Sequence, residues 1–417
     1  MSDFPAHEPD WAEYWLLAPR ITFLNHGSFG ACPKAVLAFQ QDLRQRLERE
    51  PVTFFVRAFE RRLDEAREVL AAFVGANPRD LVFVPNATYG INAVLRSLSL
   101  AEGDELLVTN HEYNASRNAL DFVAQRAGAR VVPVEIPFPI DRPERVVEAI
   151  LERVTPRTRL ALVDHVTSQT GLIFPIERIV RELDQRGIDT LVDGAHGPGM
   201  LPLDLEGLGA AYYAGNCHKW ICAPKGAALL YVRRDRQGGI RPLAISHGAN
   251  VPAGSRSRFH LEFDWTGTHD PTAWLSVPEA IRFMGSILPG GWTELRARNR
   301  TLVLLGRRKI CEVLSIPEPA PAEMIGSLAA LPLPDGDSAL PPSPLYTDPL
   351  HETLFTRYRI EVPVIPWPAP PKRLLRISAQ LYNVPAHYDR LAEALRTEFS
   401  ASHAPPDPRI EQGADRS

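Results

Sequence analysis

The sequence is poor in cysteine, and its few cysteines form no recognisable pattern. There are four in 417 residues, at positions 32, 217, 222 and 311. No pair of them has the CxxC spacing of a zinc site or a redox motif, and scattered thiols do not indicate a disulfide framework. We therefore expect no metal site, and we expect a reducing cytoplasm as the location of the protein.

Long apolar runs and an excess of charge of one sign are lacking too. The longest apolar runs are strand-sized, and none reaches the roughly 18 residues of a membrane span. Residues 1–10 are polar and acidic without an apolar stretch, so no secretory signal is expected. The formal net charge of −4, with both signs interspersed, provides no basic surface. Neither a membrane nor a nucleic acid is expected as a partner.

What the sequence does contain is the composition and the pattern of a globular α/β protein. With 45% hydrophobic and 23% charged residues, the 417-residue chain is long enough for two or three domains. Strand-sized apolar runs alternate with helical patterns from about residue 57 to residue 192. Several of these runs are continuously apolar, which is typical of a mostly parallel sheet covered by helices on both faces.

Individual elements follow from this alternation. The predicted strands cover 81–84, 105–108, 131–134, 160–163 and 190–192, and the predicted helices cover 57–73, 87–98, 114–127, 143–154 and 176–186. Gly128 stands where a helix commonly ends in a left-handed residue. Pro133 cannot donate a ladder hydrogen bond, so its strand is predicted to lie at an edge or to end there.

The pattern changes after about residue 288. Helices at 293–314, 350–358 and 386–399 and strands at 362–365 and 374–378 are predicted, and together they make a smaller α+β unit. The proline-rich stretch 317–344 cannot hold regular structure throughout and is predicted to be a surface excursion. The polar residues 401–417 are predicted to be a disordered tail.

Lys219 occupies an unusual position, in a short turn between the apolar runs 210–214 and 227–232. An ammonium group placed between two buried strands loses hydration, and its pKa falls. A lysine of lowered pKa is a nucleophile towards carbonyls and can form a Schiff base. For an isolated lysine a surface hairpin is the simpler interpretation, but four other candidate sites favour a chemical role.

All four of these sites follow predicted strands, whose carboxyl ends are where parallel sheets bind ligands. At Ala87 and Thr88 a helix begins, and its free N–H groups suit a phosphate; Asn86 or Thr88 could equally be an ordinary N-cap. Asp193 is costly to bury unless a cation, such as a protonated pyridine nitrogen, pairs with it. A cap for the next helix is the alternative role of Asp193.

The other two sites contain Tyr113 and Ser168. Tyr113 could stack on a flat heteroaromatic ring, which adds about 0.5–1.5 kcal/mol, or it could be a half-buried core aromatic. Ser168 follows His165, which could equally be a core histidine. A single ligand with a phosphate, an aromatic ring bearing a basic nitrogen and an aldehyde accounts for all four sites and for Lys219. Pyridoxal 5′-phosphate (PLP) has these groups and is an electron sink for carbanions.

The motifs resemble a known family. The strings NAT at 86–88, DGAH at 193–196 and HK at 218–219 are similar to those of the class V aminotransferase group of fold-type I PLP enzymes. Further strings are most similar to isopenicillin N epimerase-like proteins: NHGSFG at 25–30, GNCHKW at 215–220, IEVPV at 360–364 and RISAQLYN at 376–383. The resemblance covers roughly residues 20–400.

The resemblance implies a fold and a division of the chain. The fold is that of fold-type I PLP-dependent transferases, an α/β fold with a mostly parallel seven-stranded sheet, flanking helices and a smaller α+β domain. Residues 1–25 would join the small domain, 26–288 would form the large PLP-binding domain, 289–400 the small domain and 401–417 the tail. A homodimer is implied because Thr268 matches a threonine that reaches the phosphate from the neighbouring subunit.

The resemblance also implies a role for each candidate residue. Lys219 would form the Schiff base and shuttle the Cα proton, Asp193 would pair with the ring nitrogen, and His196 would contact the phenolic oxygen. Tyr113 would take the ring-stacking position. The phosphate would be surrounded by Ala87, Thr88, Asn216 and His218, while Ser168 falls where related desulfurases have asparagine.

Arg376 would bind the substrate α-carboxylate. It lies on the predicted strand 374–378, where a lone arginine is normally avoided, and a guanidinium fork can hold a carboxylate with two hydrogen bonds. A solvent-facing arginine at a strand edge is the alternative. Asn25 and His26 are expected to line the same cleft, unless the segment is a plain turn at Gly27.

Three reactions of an amino acid remain open, since each begins by removal of the Cα proton. An isopenicillin N epimerase-like activity is the first hypothesis; a C–S lyase and a class V aminotransferase are the alternatives. A non-catalytic binding protein on the same fold is the alternative outside catalysis. A persulfide-forming desulfurase is not expected, because residues 358–366, which match its mobile loop, contain no cysteine.

Overall fold

The computed structural model describes residues 10–252, 254, 256–336 and 348–401. Residues 402–417 of the predicted tail and residues 337–344 of the proline-rich stretch lie outside the described residues. Within the described residues, no helix is long and apolar enough to cross a bilayer.

The elements alternate along the first half of the chain, as the sequence predicts. The strands are β1 (Thr22–Phe23), β2 (Leu81–Val84), β3 (Glu105–Thr109), β4 (Arg130–Val134), β5 (Thr158–Asp164), β6 (Asp189–Asp193), β7 (Tyr212–Asn216), β8 (Ala228–Val232), β9 (Leu328–Pro332), β10 (Ile360–Glu361), β11 (Val364–Pro366) and β12 (Arg373–Ser378).

The helices are α1 (His26–Phe29), α2 (Lys34–Arg49), α3 (Phe59–Val74), α4 (Ala87–Ser97), α5 (Asn114–Ala127), α6 (Glu144–Glu152), α7 (Ile176–Asp184), α8 (Leu205–Leu208), α9 (Arg258–Phe263), α10 (Thr272–Leu275), α11 (Val277–Ser286), α12 (Gly291–Leu314), α13 (Pro349–Tyr358) and α14 (Pro385–Ala401). A π-helical turn, Thr53–Ala58, precedes α3. Short 3-10 turns occur at Trp11–Tyr14, Pro78–Asp80, Arg234–Gly239, His247–Ala249 and Ala322–Met324.

A seven-stranded sheet forms the centre of the larger part of the fold, with strand order β2-β8-β7-β6-β5-β3-β4. β8 runs antiparallel to both of its neighbours, and the other pairs are parallel. The predicted mostly parallel α/β sheet is therefore confirmed. β4, which contains Pro133, is an edge strand, because proline leaves one rung of the ladder without a donor.

Successive side chains of the strands are buried alternately in two hydrophobic cores, one on each face of the sheet. Val82 of β2 packs in a cluster with residues of α4 and α5, whereas the next residue, Phe83, packs in a cluster with residues of α3 and α7. Successive side chains of a strand point to opposite faces, so a strand buried on both faces must be apolar throughout. The continuous apolar runs in the sequence have this origin.

A smaller antiparallel sheet, β11-β12-β9, packs with α12 and α14. Its strand β9 corrects one prediction, because residues 328–332 fall inside the proline-rich stretch that was expected to be a surface excursion, yet Leu328 to Leu331 are buried. The stretch between Pro321 and Pro332 contains no proline, which leaves room for an apolar strand. β1 pairs in parallel with β10, so the beginning of the described chain is tied to its last third.

Candidate active site

A cavity of about 290 Å³ opens at the carboxyl ends of the parallel strands. Residues at or just after the ends of β2, β3, β5, β6 and β7 line it together with two residues of α1. The lining residues predicted from the sequence are Ala87, Thr88, Tyr113, Ser168, Asp193, His196, Asn216, His218 and Lys219. The others are Ser28, Phe29, Asn86, Asp164, Val166 and Ala195. Candidates separated by more than a hundred residues are thus brought together by sheet topology.

Lys219 follows β7 and presents its amine to this cavity. Burial, followed by the charge of Arg376, lowers the pKa of Lys219 to about 7. Its Nζ atom lies 2.9 Å from Nε2 of His196. A substantial fraction of the amine is therefore unprotonated at neutral pH, which is the form that attacks an aldehyde.

Asp193 is the last residue of β6 and lies at the floor of the cavity. The hydroxyl of Ser116, on α5, donates to its Oδ2 at 2.9 Å, and the backbone N–H of Ala195 donates to its Oδ1 at 3.0 Å. The side chain is 3% exposed, and none of these donors is charged. A buried carboxylate with neutral donors is suited to pairing with a cationic ligand group.

Two further acids beside Asp193 were missed by sequence reasoning. Asp164 ends β5 and is the register partner of Asp193, and the carboxyl group of Glu112 interacts electrostatically with both. Burial and the neighbouring carboxylates raise the pKa of Glu112 and that of Asp164 well above their usual values. The protonated forms of these two acids are therefore favoured more strongly than they are in water. For Asp164, which directly follows the apolar run 160–163, the available signal was the one that identified Asp193; Glu112 is separated from its apolar run by three residues and gave no such signal.

The N terminus of α4 is tied to the end of β7. The backbone N–H of Ala87 donates to Oδ1 of Asn216 at 2.9 Å. Oδ1 of Asn86 accepts from the N–H of Tyr89 at 2.8 Å, so Asn86 caps α4, as the simpler interpretation had it. His218 hydrogen-bonds the carbonyl of Ala227 through Nδ1 at 3.2 Å.

Arg376 is buried on β12, behind the cavity wall. Its Nη1 donates to the carbonyl of Ser168 at 2.6 Å, and its Nη2 donates to Oγ of Ser28 at 2.8 Å and to Oδ1 of Asn25 at 3.4 Å. Burial lowers the pKa of Arg376 to about 10. These acceptors are neutral, so the guanidinium is a buried charge that a carboxylate could compensate. Asn25 reaches this cluster through its contact with the arginine.

His26 lies beneath Lys219, and the structure does not bring it to the cavity wall. Its Nε2 donates to the backbone carbonyl of Lys219 at 2.9 Å, because a carbonyl can only accept. Its Nδ1 therefore accepts from the hydroxyl of Tyr382 at 2.7 Å. The side chain has no exposed surface, and burial lowers the pKa of His26 to about 3.

Two predicted residues lie at the outside of this constellation. Tyr113 is 46% exposed and lines the cavity from the segment after β3. Thr268 is exposed and does not line the cavity of its own chain.

The side chains of the cavity suit PLP. Among the residues that the structure describes, they form no metal-binding group, and they include no reactive thiol. The cavity provides an amine at Lys219, a carboxylate at Asp193 and a helix N terminus at Ala87, which are matched to the aldehyde, ring nitrogen and phosphate of PLP. Within the described ranges, no group of His, Cys, Asp and Glu is arranged to hold a metal. All four cysteines are buried and none lines the cavity.

Comparisons with known proteins agree with this geometry. The family model described as aminotransferase class-V matches residues 33–322. The chain is 37% identical over 396 residues to isopenicillin N epimerase of Amycolatopsis lactamdurans, covering 91% of this chain and 96% of the relative. It is 30% identical over 415 residues to a probable chloroplastic L-cysteine desulfhydrase of Arabidopsis thaliana, covering 94% of this chain and 84% of the relative.

Solved structures share the fold at lower identity. A C-DES mutant with glycine covalently linked to its PLP cofactor matches with a TM-score of 0.75 and 22% identity, over 93% of this chain and 99% of that chain. The cysteine desulfurase CsdA of Escherichia coli matches with a TM-score of 0.74 and 21% identity, over 94% and 98% of the two chains. These matches confirm the expected fold-type I architecture.

Proposed function

The chain belongs to the class V aminotransferase family and is a PLP-dependent enzyme, and on this premise we propose that it is an epimerase acting at Cα of an amino acid. The observation that carries the proposal is the amine of Lys219, of lowered pKa, in one cavity with Asp193 and next to Arg376. Full-length similarity to isopenicillin N epimerases, at 37% and 35% identity, favours epimerisation among the reactions open to this cavity.

The bound cofactor supplies an aldehyde for amines and an electron sink for the charge that develops when a Cα proton leaves. The side chains of the cavity perform the remaining tasks. Lys219 takes the proton from one face of the substrate Cα, for which a pKa of about 7 is suited because both forms of the amine are populated at neutral pH. Inversion at Cα requires that a second donor deliver a proton to the opposite face. Asp193, oriented by Ser116 and Ala195, would hold the ring nitrogen of the cofactor in its protonated form.

Arg376 provides the site for the substrate α-carboxylate. The carboxylate would replace the hydroxyl of Ser28 or the carbonyl of Ser168 as the acceptor, and a charged acceptor makes a stronger hydrogen bond than a neutral one. With the carboxylate held there and the substrate amino group directed to the aldehyde of the cofactor, the position of Cα would be determined by two points. Tyr113, at the cavity mouth, would cover the face of the ring.

The phosphate of the cofactor is assigned to the N terminus of α4, with Ala87, Thr88, Asn216 and His218 around it. Asn216 uses its Oδ1 to hold Ala87, so its NH₂ group is the part that can donate to a phosphate oxygen. We assign Thr268 to the phosphate of a partner subunit, since it is exposed and away from the cavity of its own chain. The proposal therefore includes a homodimer, located in the cytoplasm.

A C–S lyase is the second candidate, because L-cysteine desulfhydrases also match over most of the chain. No thiol lines the cavity, so the lyase would eliminate sulfur from the substrate without a cysteine nucleophile. Transamination is the third outcome of the same proton removal.

Incubating the enzyme with single enantiomers of candidate amino acids in deuterated water separates the three reactions. Inversion with uptake of deuterium at Cα is the expected result. A 2-oxo acid with ammonia and sulfide would identify the lyase, and turnover that requires an added 2-oxo acid would identify the aminotransferase. Lys219→Ala is the control for exchange that does not depend on the enzyme.

A further inference from the structure

Trp220 is a buried tryptophan next to the catalytic lysine, and the roles assigned so far do not include it. It is 1% exposed, and its ring packs on His26 with 4.8 Å between the ring centroids. Its indole Nε1 lies 3.2 Å from Nδ1 of His196. An indole N–H can only donate, so Nδ1 of His196 must be the acceptor.

This contact determines the tautomer of His196. A neutral imidazole carries a single N–H, and with Nδ1 accepting, the proton must be on Nε2. Nε2 faces the amine of Lys219 at 2.9 Å. Burial, followed by the charge of Lys219, holds the pKa of His196 well below its ordinary value, so the imidazole stays neutral at neutral pH.

The tautomer in turn constrains the charge of Lys219. An ammonium group has three N–H donors and no lone pair, so it would meet the Nε2–H of His196 donor against donor. Moving the imidazole proton to Nδ1 would remove that conflict but create a second one with the indole N–H of Trp220. Both hydrogen bonds are satisfied together only when Lys219 is a neutral amine.

We propose that Trp220 is a positioning residue whose indole N–H fixes His196 as the Nε2–H tautomer, so that the imidazole always presents a donor to the cavity. In the cofactor-free protein this donor faces Lys219 and favours its reactive, neutral form. With the cofactor in place, a step that rests on the proposed function, the same N–H is the donor available to the phenolic oxygen next to the aldehyde.

The tautomer can be measured without the cofactor, which separates this inference from the proposed reaction. Nitrogen NMR of the full-length, cofactor-free protein with ¹⁵N-labelled histidine distinguishes a protonated ring nitrogen from an unprotonated one. The spectrum of His196→Gln identifies the signals of His196 by their loss. A protonated Nε2 and an unprotonated Nδ1 are expected in the unmutated protein. A proton on Nδ1, or on both nitrogens, at neutral pH would overturn the proposal, and this arm needs no Trp220 variant.

Trp220→Phe removes the N–H and keeps an aromatic ring. We expect His196 to become a mixture of tautomers, and the pH midpoint for the reaction of Lys219 with PLP to rise by about half to one pH unit, the equivalent of one hydrogen bond. Trp292→Phe is the matched control, because its indole N–H donates to the carbonyl of Ile281 and it does not line the cavity. The control should leave both quantities unchanged.

A double-variant cycle distinguishes tautomer control from a packing effect. In a His196→Gln background the side-chain amide carries donor and acceptor without tautomers, so adding Trp220→Phe should no longer shift the midpoint of Lys219. An equal shift in both backgrounds would mean that the indole acts on Lys219 through packing alone, and the proposal would be wrong.

Discussion

At the scale of single residues, the cavity depends on groups that are held away from their usual charge. Burial favours the neutral form of a lysine and of a carboxylic acid alike, so Lys219 loses protons more easily and Glu112 less easily than in water. Each shift suits one task, since an amine must be neutral to attack and a cluster of acids must be partly protonated to coexist. The two groups have opposite effects on stability as the pH changes.

For Lys219, the rate at which the cofactor-free protein takes up PLP should follow deprotonation of the amine. We expect this rate to rise by about tenfold per pH unit below pH 7 and to level off above it, because the lysine pKa is about 7. Stopped-flow absorbance across pH 5 to 9 measures this rate, with Lys219→Ala as the control. A rate that keeps rising towards pH 10 would contradict the lowered pKa.

The same shift predicts how stability changes with pH. Between pH 7 and the ordinary lysine value of 10.5, the unfolded chain binds more protons at this site than the folded protein does. The contribution of Lys219 to the free energy of unfolding of the cofactor-free protein therefore rises with pH across that window.

Glu112→Gln tests the raised pKa in the acid cluster. The pKa of Glu112 is raised in the folded protein. The contribution of Glu112 to the free energy of unfolding is therefore lost as the pH rises towards that pKa. The loss is at most about 1.4 kcal/mol per pH unit. Glutamine keeps a donor but does not titrate. The melting temperature of the variant minus that of the unmutated protein should therefore increase from pH 5 to pH 8.

Thermal unfolding of the cofactor-free proteins at several pH values measures this difference. Glu152→Gln, on the exposed surface of α6, is the control for removal of a glutamate charge outside the acid cluster. A difference between Glu112→Gln and the unmutated protein that does not vary with pH would show that the pKa of Glu112 is not raised in the folded protein.

At the scale of elements, the reactive side chains lie at the ends of strands, and the positions of most strands and helices could be predicted from the sequence. Strand–helix alternation, the left-handed end of α5 at Gly128 and the edge position of β4 all follow from local rules on periodicity, glycine and proline. β9 was missed because a high density of proline masked a short apolar run between two prolines. The average composition of a segment does not show where a proline-free run is long enough to form a strand.

The contacts between elements were less predictable. That Lys219 lies in a turn after a strand could be read from the order of apolar runs. That Asp164 pairs in register with Asp193, or that the hydroxyl of Ser116 holds Asp193, depends on strand register and helix packing across the sheet. No periodicity in a single sequence specifies those distances. Because parallel sheets bind ligands at the carboxyl ends of their strands, the edge of the sheet where these residues meet could be predicted, but not which residues contact each other.

Arg376→Lys tests the carboxylate site that β12 supplies. A lysine keeps the charge but loses the planar fork, so the KM for an amino acid substrate should rise roughly ten- to hundredfold, the equivalent of one charge-assisted hydrogen bond. The near-visible absorbance of the bound cofactor should persist. Steady-state kinetics with the identified substrate measure the KM.

Arg373→Lys is the matched control on the same strand. Arg373 donates to Asp348 at 2.7 Å and to the carbonyl of Pro334. Arg376 instead donates to the cavity-lining residues Ser28 and Ser168, so substitution of Arg373 should leave the KM unchanged. Equal effects of both substitutions would assign Arg376 to the structure of the small sheet instead of to substrate binding.

At the scale of the whole molecule, the proposal requires two chains for each complete site. An inactive Lys219→Ala chain and a chain disabled by Thr268→Asp, which places a negative charge at the phosphate, should regain activity when they are unfolded and refolded together. In the mixed dimer one site then has both Lys219 and Thr268 intact. Activity assays of the mixture, compared with each variant refolded alone, measure the recovery. A mixture no more active than its parts, or a monomer in solution, would contradict the shared site.

The proposed chemistry depends on Lys219 as the residue to which the cofactor is covalently bound. Reducing the PLP-loaded protein with borohydride, digesting it and mapping the phosphopyridoxyl mass by mass spectrometry tests this assignment directly. We expect the added mass on the peptide that contains Lys219 and on no other, with loss of the label in Lys219→Ala and its retention in Lys225→Ala. Label on a different lysine, or no reducible adduct at all, would contradict the account.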